Sequence, residues 1–406
     1  MKLQQLLFAV LFTILPLSLI FGQNKTTNFD FFAKRQNSYT LQQTGYYGRM
    51  TLFDNDQKYG HFNSTWADVD WNHWVGGGLG LGLKASASWS GTHPLTNNEQ
   101  LNRSWSISPQ LSYGKTLTDK IGLYGRANVT FGVDKDISKS PTTTTTDKAN
   151  LFGYGGEIGL PYRFSKYTSL TASVDYQHLN TKYDDGKVSD NTYGFSLRME
   201  DYLGCGAMRC DPSTGFSYSR NMYVPGTGFV SYDTRGGVQF GKSKTTYNNF
   251  PSLTTTLDHN DIDLNLNGTI YIIKYVGIGA GLEFGHSSSE FSSGNSKTTS
   301  TYFEFDPELF IHLPVTGGLR NLFFKGGGYF GSDRVEQKSG TLTFTDKESI
   351  TGFNVGVGYN AFFSEQTALR ACVYYGSLTN KDKDTDDKTQ RRGIGATVGL
   401  MHSFRF

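Results

Sequence analysis

Charged side chains recur at every second position in several segments of this chain. Asp68 and Asp70 have this spacing, as do Asp261 and Asp263, and Glu304, Asp306 and Glu308. Because side chains two residues apart in a β-strand point to the same face, each set would line one surface. Such a surface serves either as a network of paired charges or as the polar lining of a path that favours some solutes.

The same alternation places further charged residues on these surfaces. The candidate lining residues are Asp68, Asp70, Arg126, Glu157, Asp175, Arg198, Glu200, Asp261, Asp263, Glu304, Asp306, Glu308, Lys325 and Arg370. If their strands cross a membrane, these residues must face an interior or each other, because a charge in hydrocarbon is costly. Both interpretations, a satisfied network and the lining of an aqueous path, stay open.

Signatures of enzymes, metals and nucleotides are weak in this sequence. The eight histidines are scattered, there is no Gly-x-Ser-x-Gly sequence, and no His or Cys spacing suggests zinc. The glycine-rich segments 76–82 and 277–281 lack a following Gly-Lys-Ser/Thr and are better explained as strand glycines. The net charge of +2 gives no sign of a nucleic-acid partner. We expect no enzymatic activity, no cofactor and no bound metal.

The last fourteen residues indicate that the charged side chains are held by β-strands. Ala396, Val398, Leu400, Phe404 and Phe406 would lie on one side of a strand, and Thr397, Gly399, Ser403 and Arg405 on the other. Apolar residues outward and polar residues inward is the pattern of a strand that faces lipid. A barrel built from such strands can be polar on average, as this chain is.

Similar alternation predicts sixteen strands in all. They lie near residues 44–53, 64–75, 79–89, 104–113, 121–133, 151–164, 168–179, 192–203, 230–241, 261–273, 276–286, 301–312, 322–331, 349–363, 367–378 and 393–406.

The sequence also indicates a duplication. Residues 151–170 align without gaps on residues 350–369, which matches Gly153 with Gly352 and Gly159 with Gly358. Pro109 and Pro307 occupy equivalent positions, and because proline cannot donate to the ladder they predict a bulge or bend in the fourth strand of each half. The pattern predicts two fused modules of eight strands.

The connections alternate between short links and long polar segments such as 134–148, 242–260 and 380–391. This alternation is typical of periplasmic turns and extracellular loops. Aromatic residues at the strand ends near the short links, among them Trp71 and Trp74, are predicted to form the periplasmic aromatic girdle.

The domain boundaries follow from these features. Residues 1–22 have the apolar run of a cleaved signal peptide, and residues 23–43 form a periplasmic N-terminal segment. The first barrel repeat covers residues 44–203, a periplasmic linker residues 204–228, and the second repeat residues 229–406. Cys205 and Cys210 in the linker are close enough in sequence to form a disulfide, although spacing alone does not establish it.

By its pattern, the chain resembles the outer-membrane β-barrel proteins of Gram-negative bacteria. Phe404 and Phe406 at its end resemble the signal that directs such proteins to the insertion machinery. The resemblance implies an all-β, antiparallel transmembrane barrel in the outer membrane, with membrane lipid and the insertion machinery as partners.

Two architectures and three functions remain open at this point. One barrel of about sixteen strands is favoured over two tandem barrels of eight, because one terminal signal is present. A single wide barrel would suit a porin-like channel for small solutes. The alternatives are a non-conducting barrel that displays its extracellular loops to a ligand, and a barrel enzyme with residues from separate strands.

Overall fold

The computed structural model describes residues 32, 36–40, 43–55, 57–94, 98–163, 168–203, 223–230, 235–247, 254–291, 296–314, 320–362 and 367–405. The regular structure in these ranges is β1 (Gln36–Thr40), β2 (Gln43–Asp54), β3 (Gln57–Gly76), β4 (Leu79–Pro94), β5 (Glu99–Thr116), β6 (Gly122–Lys139), β7 (Thr144–Arg163), β8 (Thr168–Lys182), β9 (Gly186–Leu203), β10 (Thr227–Val230), β11 (Arg235–Tyr247), β12 (Thr254–Ile273), β13 (Val276–Phe291), β14 (Ser296–Pro314), β15 (Arg320–Ser339), β16 (Leu342–Phe362), β17 (Thr367–Asp382) and β18 (Lys388–Arg405). Within these ranges, no helix has the length and apolarity needed to cross a membrane.

Sixteen long strands form a single closed barrel. Neighbours in sequence pair antiparallel from β2 to β9 and again from β11 to β18. The two halves are joined where β9 pairs with β11, and the barrel is closed where β18 pairs with β2. The predicted all-β barrel of sixteen strands is therefore confirmed. Two complete, separate barrels would have required β9 to pair with β2.

The two short strands divide this barrel at one end, which we call the base. β1 pairs with the last residues of both β3 and β9, so that Gln36 is opposite Trp74 and Asn37 is opposite Leu203. β10 does the same for β12 and β18. Ring 1 therefore consists of β1 and β3–β9, and ring 2 of β10 and β12–β18. The wall above the base is one barrel, while the base itself consists of two eight-strand rings.

β1 lies, and β10 begins, in a segment that was predicted to be outside the barrel. β1 lies in the predicted N-terminal segment, and β10 begins inside the predicted linker. Cys205 and Cys210 lie outside the described residues. Phe404 lies in β18, where its backbone is opposite Gly228, and Phe406 also lies outside the described residues.

The outer face of the wall is apolar. Val69, Phe131 and Val174 are 44%, 48% and 52% exposed, and each alternates with inward-facing polar or charged neighbours. Because paired residues in an antiparallel ladder share a face, this assignment extends around the barrel from strand to strand. The outer apolar side chains form a band that faces lipid.

The strands extend beyond this band at the end opposite the base, which we call the outer end. β6 continues to Lys139 and β7 begins at Thr144, so the predicted loop at 134–148 is a strand hairpin with a short turn. The predicted loop at 380–391 is likewise largely strand. Both predictions of long loops were wrong, because threonine runs and alternating charges also suit a paired strand.

The two prolines interrupt the ladder without adding a residue. In β5, Ile107 pairs with Phe131 of β6, and the next pair along the strand is Gln110 with Asn128. β14 shows the same gap beside Pro307. Two residues are skipped on each strand at both places, so the predicted bulge is absent. The missing N–H of proline is sufficient to explain the gap.

Candidate functional site

The candidate site is the interior of the barrel. The alternation along each strand places every candidate lining residue on the inward face, as their exposed apolar neighbours show. On β12, for example, Asp261 and Asp263 alternate with the outward Ile262 and Leu264. The structure then brings some of these residues together and leaves others apart.

A charge network crosses the interior of ring 1. Arg126 Nη1 of β6 lies 3.5 Å from Asp70 Oδ2 of β3 and 3.6 Å from Glu157 Oε2 of β7. Arg198 of β9 pairs with the same Glu157 and lies 2.9 Å, Nε to Oε1, from Glu200. Because β3 and β6 are not neighbours in the wall, these contacts span the interior. Asp70, Arg126, Glu157, Arg198 and Glu200 therefore form one network.

Aromatic side chains fill the remaining space of ring 1. Phe32 lies just before β1, and its ring centroid is 4.5 Å from that of Trp74 and 6.3 Å from that of Tyr124. All three are buried, with at most 2% of their surface exposed. The hydroxyl of Tyr124 donates to Glu157 Oε1 at 2.6 Å, which ties the aromatic side chains to the charge network. We call Phe32, Trp74 and Tyr124 plug 1.

Close packing at plug 1 depends on a glycine. A Cβ atom built on Gly114 would lie 2.7 Å from Cε1 of Phe32. Since that separation is shorter than van der Waals contact, any side chain at this position would displace Phe32. Trp74, which was predicted to belong to the periplasmic girdle, therefore lies inside the ring, and that part of the girdle prediction is wrong.

Ring 2 is filled in a corresponding way by a cluster that we call plug 2, made of Tyr223, Phe229, Tyr271, His312 and Phe362. Tyr223 lies just before β10, and its ring stacks on His312 with centroids 4.4 Å apart. The hydroxyl of Tyr271 is 2.6 Å from Nε2 of His312. Phe229 and Phe362 belong to the same buried cluster.

Amide side chains connect plug 2 to the wall. Asn321 Oδ1 accepts hydrogen bonds from His312 Nδ1 at 3.0 Å and from Asn360 Nδ2 at 3.2 Å. Arg370 Nε donates to Asn360 Oδ1 at 3.1 Å, and its guanidinium lies 4.9 Å from the ring centroid of Phe323. The predicted lining residue Arg370 is thus held by an amide and an aromatic ring.

The two rings touch each other at the base. Thr168 Oγ1 of β8 lies 2.7 Å from His402 Nδ1 of β18, and both residues are fully buried. The neighbouring Met401 and Ala368 are also fully buried and belong to the cluster of plug 2. At this contact, a buried residue of ring 1 packs directly against a buried residue of ring 2.

The inner wall of the second half, above ring 2, is acidic. Glu283 and Glu304 are directly opposite each other on β13 and β14, and Asp306 follows Glu304 on the same face. The hydroxyl of Tyr302 donates to Glu283 Oε1 at 3.0 Å, and the same oxygen lies 3.4 Å from Asp263 Oδ1. This surface includes the predicted Asp263, Glu304 and Asp306.

The other predicted residues lie close to these two groups. Lys325 Nζ pairs with Glu308 Oε1 at 2.7 Å, at the edge of the acidic wall. Asp175 is directly opposite Glu157, beside the network of ring 1. Asp68 and Asp261 lie on the inner face further towards the outer end, next to Asp70 and Asp263 in their strands.

The residues of the two plugs were not recognised from the sequence. Phe32 and Tyr223 lie outside the predicted strands, so alternation could not assign them to a face. Trp74 and Phe362 were recognised only as aromatic residues at strand ends. Each lies an odd number of residues from an outward valine of its strand, Val69 or Val357, and this spacing places it on the inward face. This odd spacing was the sequence signal that could have identified them as interior residues.

A family model and several solved structures are similar to this chain. Residues 22–199 match the family model of the outer membrane protein beta-barrel domain. No curated protein matches the sequence. Among solved structures, the chain is similar to the CymD monoaromatic hydrocarbon channel, with 10% identity, 92% of this chain and 90% of that chain covered and a TM-score of 0.32.

Two further solved structures have comparable values. The P. putida toluene transporter TodX shares 9% identity over 93% of this chain and 91% of that chain, with a TM-score of 0.30. The alcaligin outer-membrane receptor FauA from Bordetella pertussis shares 10% identity over 91% of this chain and 76% of that chain, with a TM-score of 0.33. The three proteins have different activities, and the similarity assigns none of these activities to this chain.

Proposed function

We propose that this chain, an outer-membrane β-barrel protein, is a porin-like channel for the passive diffusion of small polar solutes. The observation that carries the proposal is the circumference of the wall, which has sixteen long strands and a polar, charged inner face. A barrel of sixteen strands is wide enough to enclose an aqueous space, whereas eight strands enclose little more than their own side chains.

The charges of the inner wall suggest which solutes are preferred. Asp263, Glu283, Glu304 and Asp306 lie close together on the second half of the wall. Rings or clusters of carboxylates favour cations over anions in channels. We therefore propose a preference for cationic and neutral solutes.

The base determines how a solute would leave the barrel. Both rings are filled by side chains, ring 1 by plug 1 and ring 2 by plug 2. Passage into the periplasm therefore requires at least one plug to move aside. The proposal is a channel that is open towards the outside and gated at the base.

A second candidate function rests on the same plugs. If they never move, the molecule is a non-conducting barrel that presents its extended outer end to a ligand or a partner at the cell surface. For either function, membrane lipid and the machinery that inserts outer-membrane barrels are the partners we propose.

Planar-bilayer recording of the purified, refolded protein separates the two functions. We expect stepwise conductance and, in a potassium chloride gradient, a reversal potential that shows cation preference. A variant without the plug aromatics, Phe32→Ala with Tyr223→Ala, should conduct more than the wild type. Absence of conductance from both well-inserted proteins would rule out the channel and favour the surface barrel.

A further inference from the structure

The β6–β7 hairpin at the outer end of the barrel separates positive and negative charge by face. On β6, Lys135 lies on the same face as the lipid-facing Phe131, while Asp134 and Asp136 lie on the inward face of Arg126. On β7, Lys148 shares the face of Phe152, and Asp147 that of Glu157. The outside of this wall is therefore basic and its inside acidic.

The same separation occurs in the second half of the barrel. Arg334 and Lys347 are directly opposite each other on the outer face of β15 and β16. The adjacent Asp333 and Glu348 form a pair on the inner face. The pattern therefore occurs on two hairpins, β6–β7 and β15–β16.

Three of the outward cations are in direct register across three strands. Arg103 of β5 is opposite Lys135 of β6, and Lys135 is opposite Lys148 of β7. Like charges at directly opposed positions destabilise a sheet. Within the described part of the chain, none of the ion pairs shorter than 4.0 Å involves these three residues. An anion from outside the chain would relieve this repulsion.

The height of these cations on the barrel indicates where that anion is. Arg103 is the next outward residue after Trp105, which is 47% exposed, and Lys135 is the next outward residue after Val133. Phe131 and Phe152, whose ring centroids are 5.6 Å apart, lie just below them in the apolar band. The cations are thus at the level of the lipid headgroups.

We propose that Arg103, Lys135 and Lys148 bind the phosphate groups of a lipid in the outer leaflet of the membrane. Phosphate oxygens accept strong, charge-assisted hydrogen bonds from guanidinium and ammonium groups. A basic cluster that borders a lipid-facing surface gains free energy from an anionic headgroup while the acyl chains contact the apolar band. A free acidic peptide would use only the charges, and the continuity with the apolar band therefore favours a lipid.

The test is a titration of the purified protein in a neutral detergent with lipid A that carries both of its phosphates. The same lipid without phosphates and inorganic phosphate are the comparison ligands, and binding is followed by native mass spectrometry. The variant K135Q/K148Q should bind phosphorylated lipid A at least tenfold more weakly. It should unfold no earlier than the wild type in detergent alone, because it has lost repulsive charges.

The matched control is K297Q/K338Q, which removes the same charge. Lys297 and Lys338 are opposite each other near the tip of β14 and β15, where each also has a glutamate within 4 Å. We expect this control to bind lipid A like the wild type. Equal binding of lipid A with and without phosphates, full competition by inorganic phosphate, or an equal loss in the control would each overturn the proposal. If K135Q/K148Q does not fold, Arg103→Gln is tested in the same way.

Discussion

At the scale of single residues, Arg126 is the side chain on which the network of ring 1 depends. It is 9% exposed and lies between Asp70 and Glu157, which belong to different strands. Its removal leaves carboxylates in an interior with less charge compensation, and breaking a buried pair in this way costs about 3–5 kcal/mol. We expect Arg126→Gln to lower the free energy of unfolding by this order, measured in urea with the protein in lipid vesicles.

Lys325 provides the matched comparison for Arg126. It pairs with Glu308 on the neighbouring strand, and the two side chains are 18% and 20% exposed. Because solvent screens this pair more, we expect Lys325→Gln to cost about 1 kcal/mol or less. If both substitutions had the same small effect, the view that the network stabilises ring 1 would be wrong.

His61 is expected to make the outer end sensitive to acid. Partial burial lowers its pKa below the ordinary value, and the nearby His93, whose ring stacks on it at 4.8 Å, acts in the same direction, as do Arg49 and Lys58. Glu99 acts in the opposite direction. Since the unfolded chain takes up a proton at a higher pH than the folded one, the stability from this group is present above about pH 6.5 and falls as the pH drops towards the lowered pKa.

The corresponding measurement is thermal unfolding of the wild type and of His61→Gln between pH 7.5 and pH 5. We expect the wild type to lose more stability over this interval than the variant. The contribution comes from a largely accessible group, so the difference should be small. A steeper loss in His61→Gln than in the wild type would contradict the assignment.

At the scale of elements, closure of the barrel depends on the contact of β18 with β2. Gly393 is opposite Met50, and a Cβ atom on it would overlap the carbonyl oxygen of Arg49. Because backbone cannot yield as a flexible side chain can, Gly393→Ala should separate the two strands locally and reduce the folded fraction. The change is measured as loss of the heat-modifiable band on an electrophoresis gel.

Gly326 of β15 is the control for this substitution. An added Cβ there would be 3.9 Å from its nearest neighbour, which is ordinary van der Waals contact. We expect Gly326→Ala to fold like the wild type. Equal folding of both variants would show that the wall at β18 and β2 adapts more easily than this geometry indicates.

The long strands could be predicted from the sequence because each has its own period-two signal. Their ends could not, since Asp134, Lys135 and Asp136 alternate in charge and can be either a solvated loop or a paired hairpin. The decisive information is the partner strand, where Lys135 is opposite Lys148. β1 and β10, with five and four residues, are too short for periodicity to identify them.

At the scale of the whole molecule, the number of barrels differs between the wall and the base. The wall is one barrel, and the base is two rings. Contacts such as that of Thr168 with His402, which are 234 residues apart, create this arrangement. The alternation of side chains along a strand shows which residues face inward, but it carries no signal for a contact between residues so far apart in sequence. The inward residues could therefore be predicted, whereas the two plugs could not.

The two rings give the proposed channel a property that can be measured on the whole molecule. Phe32 lies only in ring 1 and Tyr223 only in ring 2, so each substitution to alanine should open one exit. We expect Phe32→Ala and Tyr223→Ala each to raise the single-channel conductance in planar bilayers. The double variant should show about the sum of the two increases, because the exits lead in parallel from one lumen.

Phe131→Ala with Tyr375→Ala is the control, since it removes the same two residue types from the lipid-facing surface, where they are 48% and 42% exposed. This variant should conduct like the wild type. A double plug variant that conducts no more than either single variant would mean that the rings share one gate. In that case the buried contact of Thr168 with His402 is the element through which opening of one ring would reach the other.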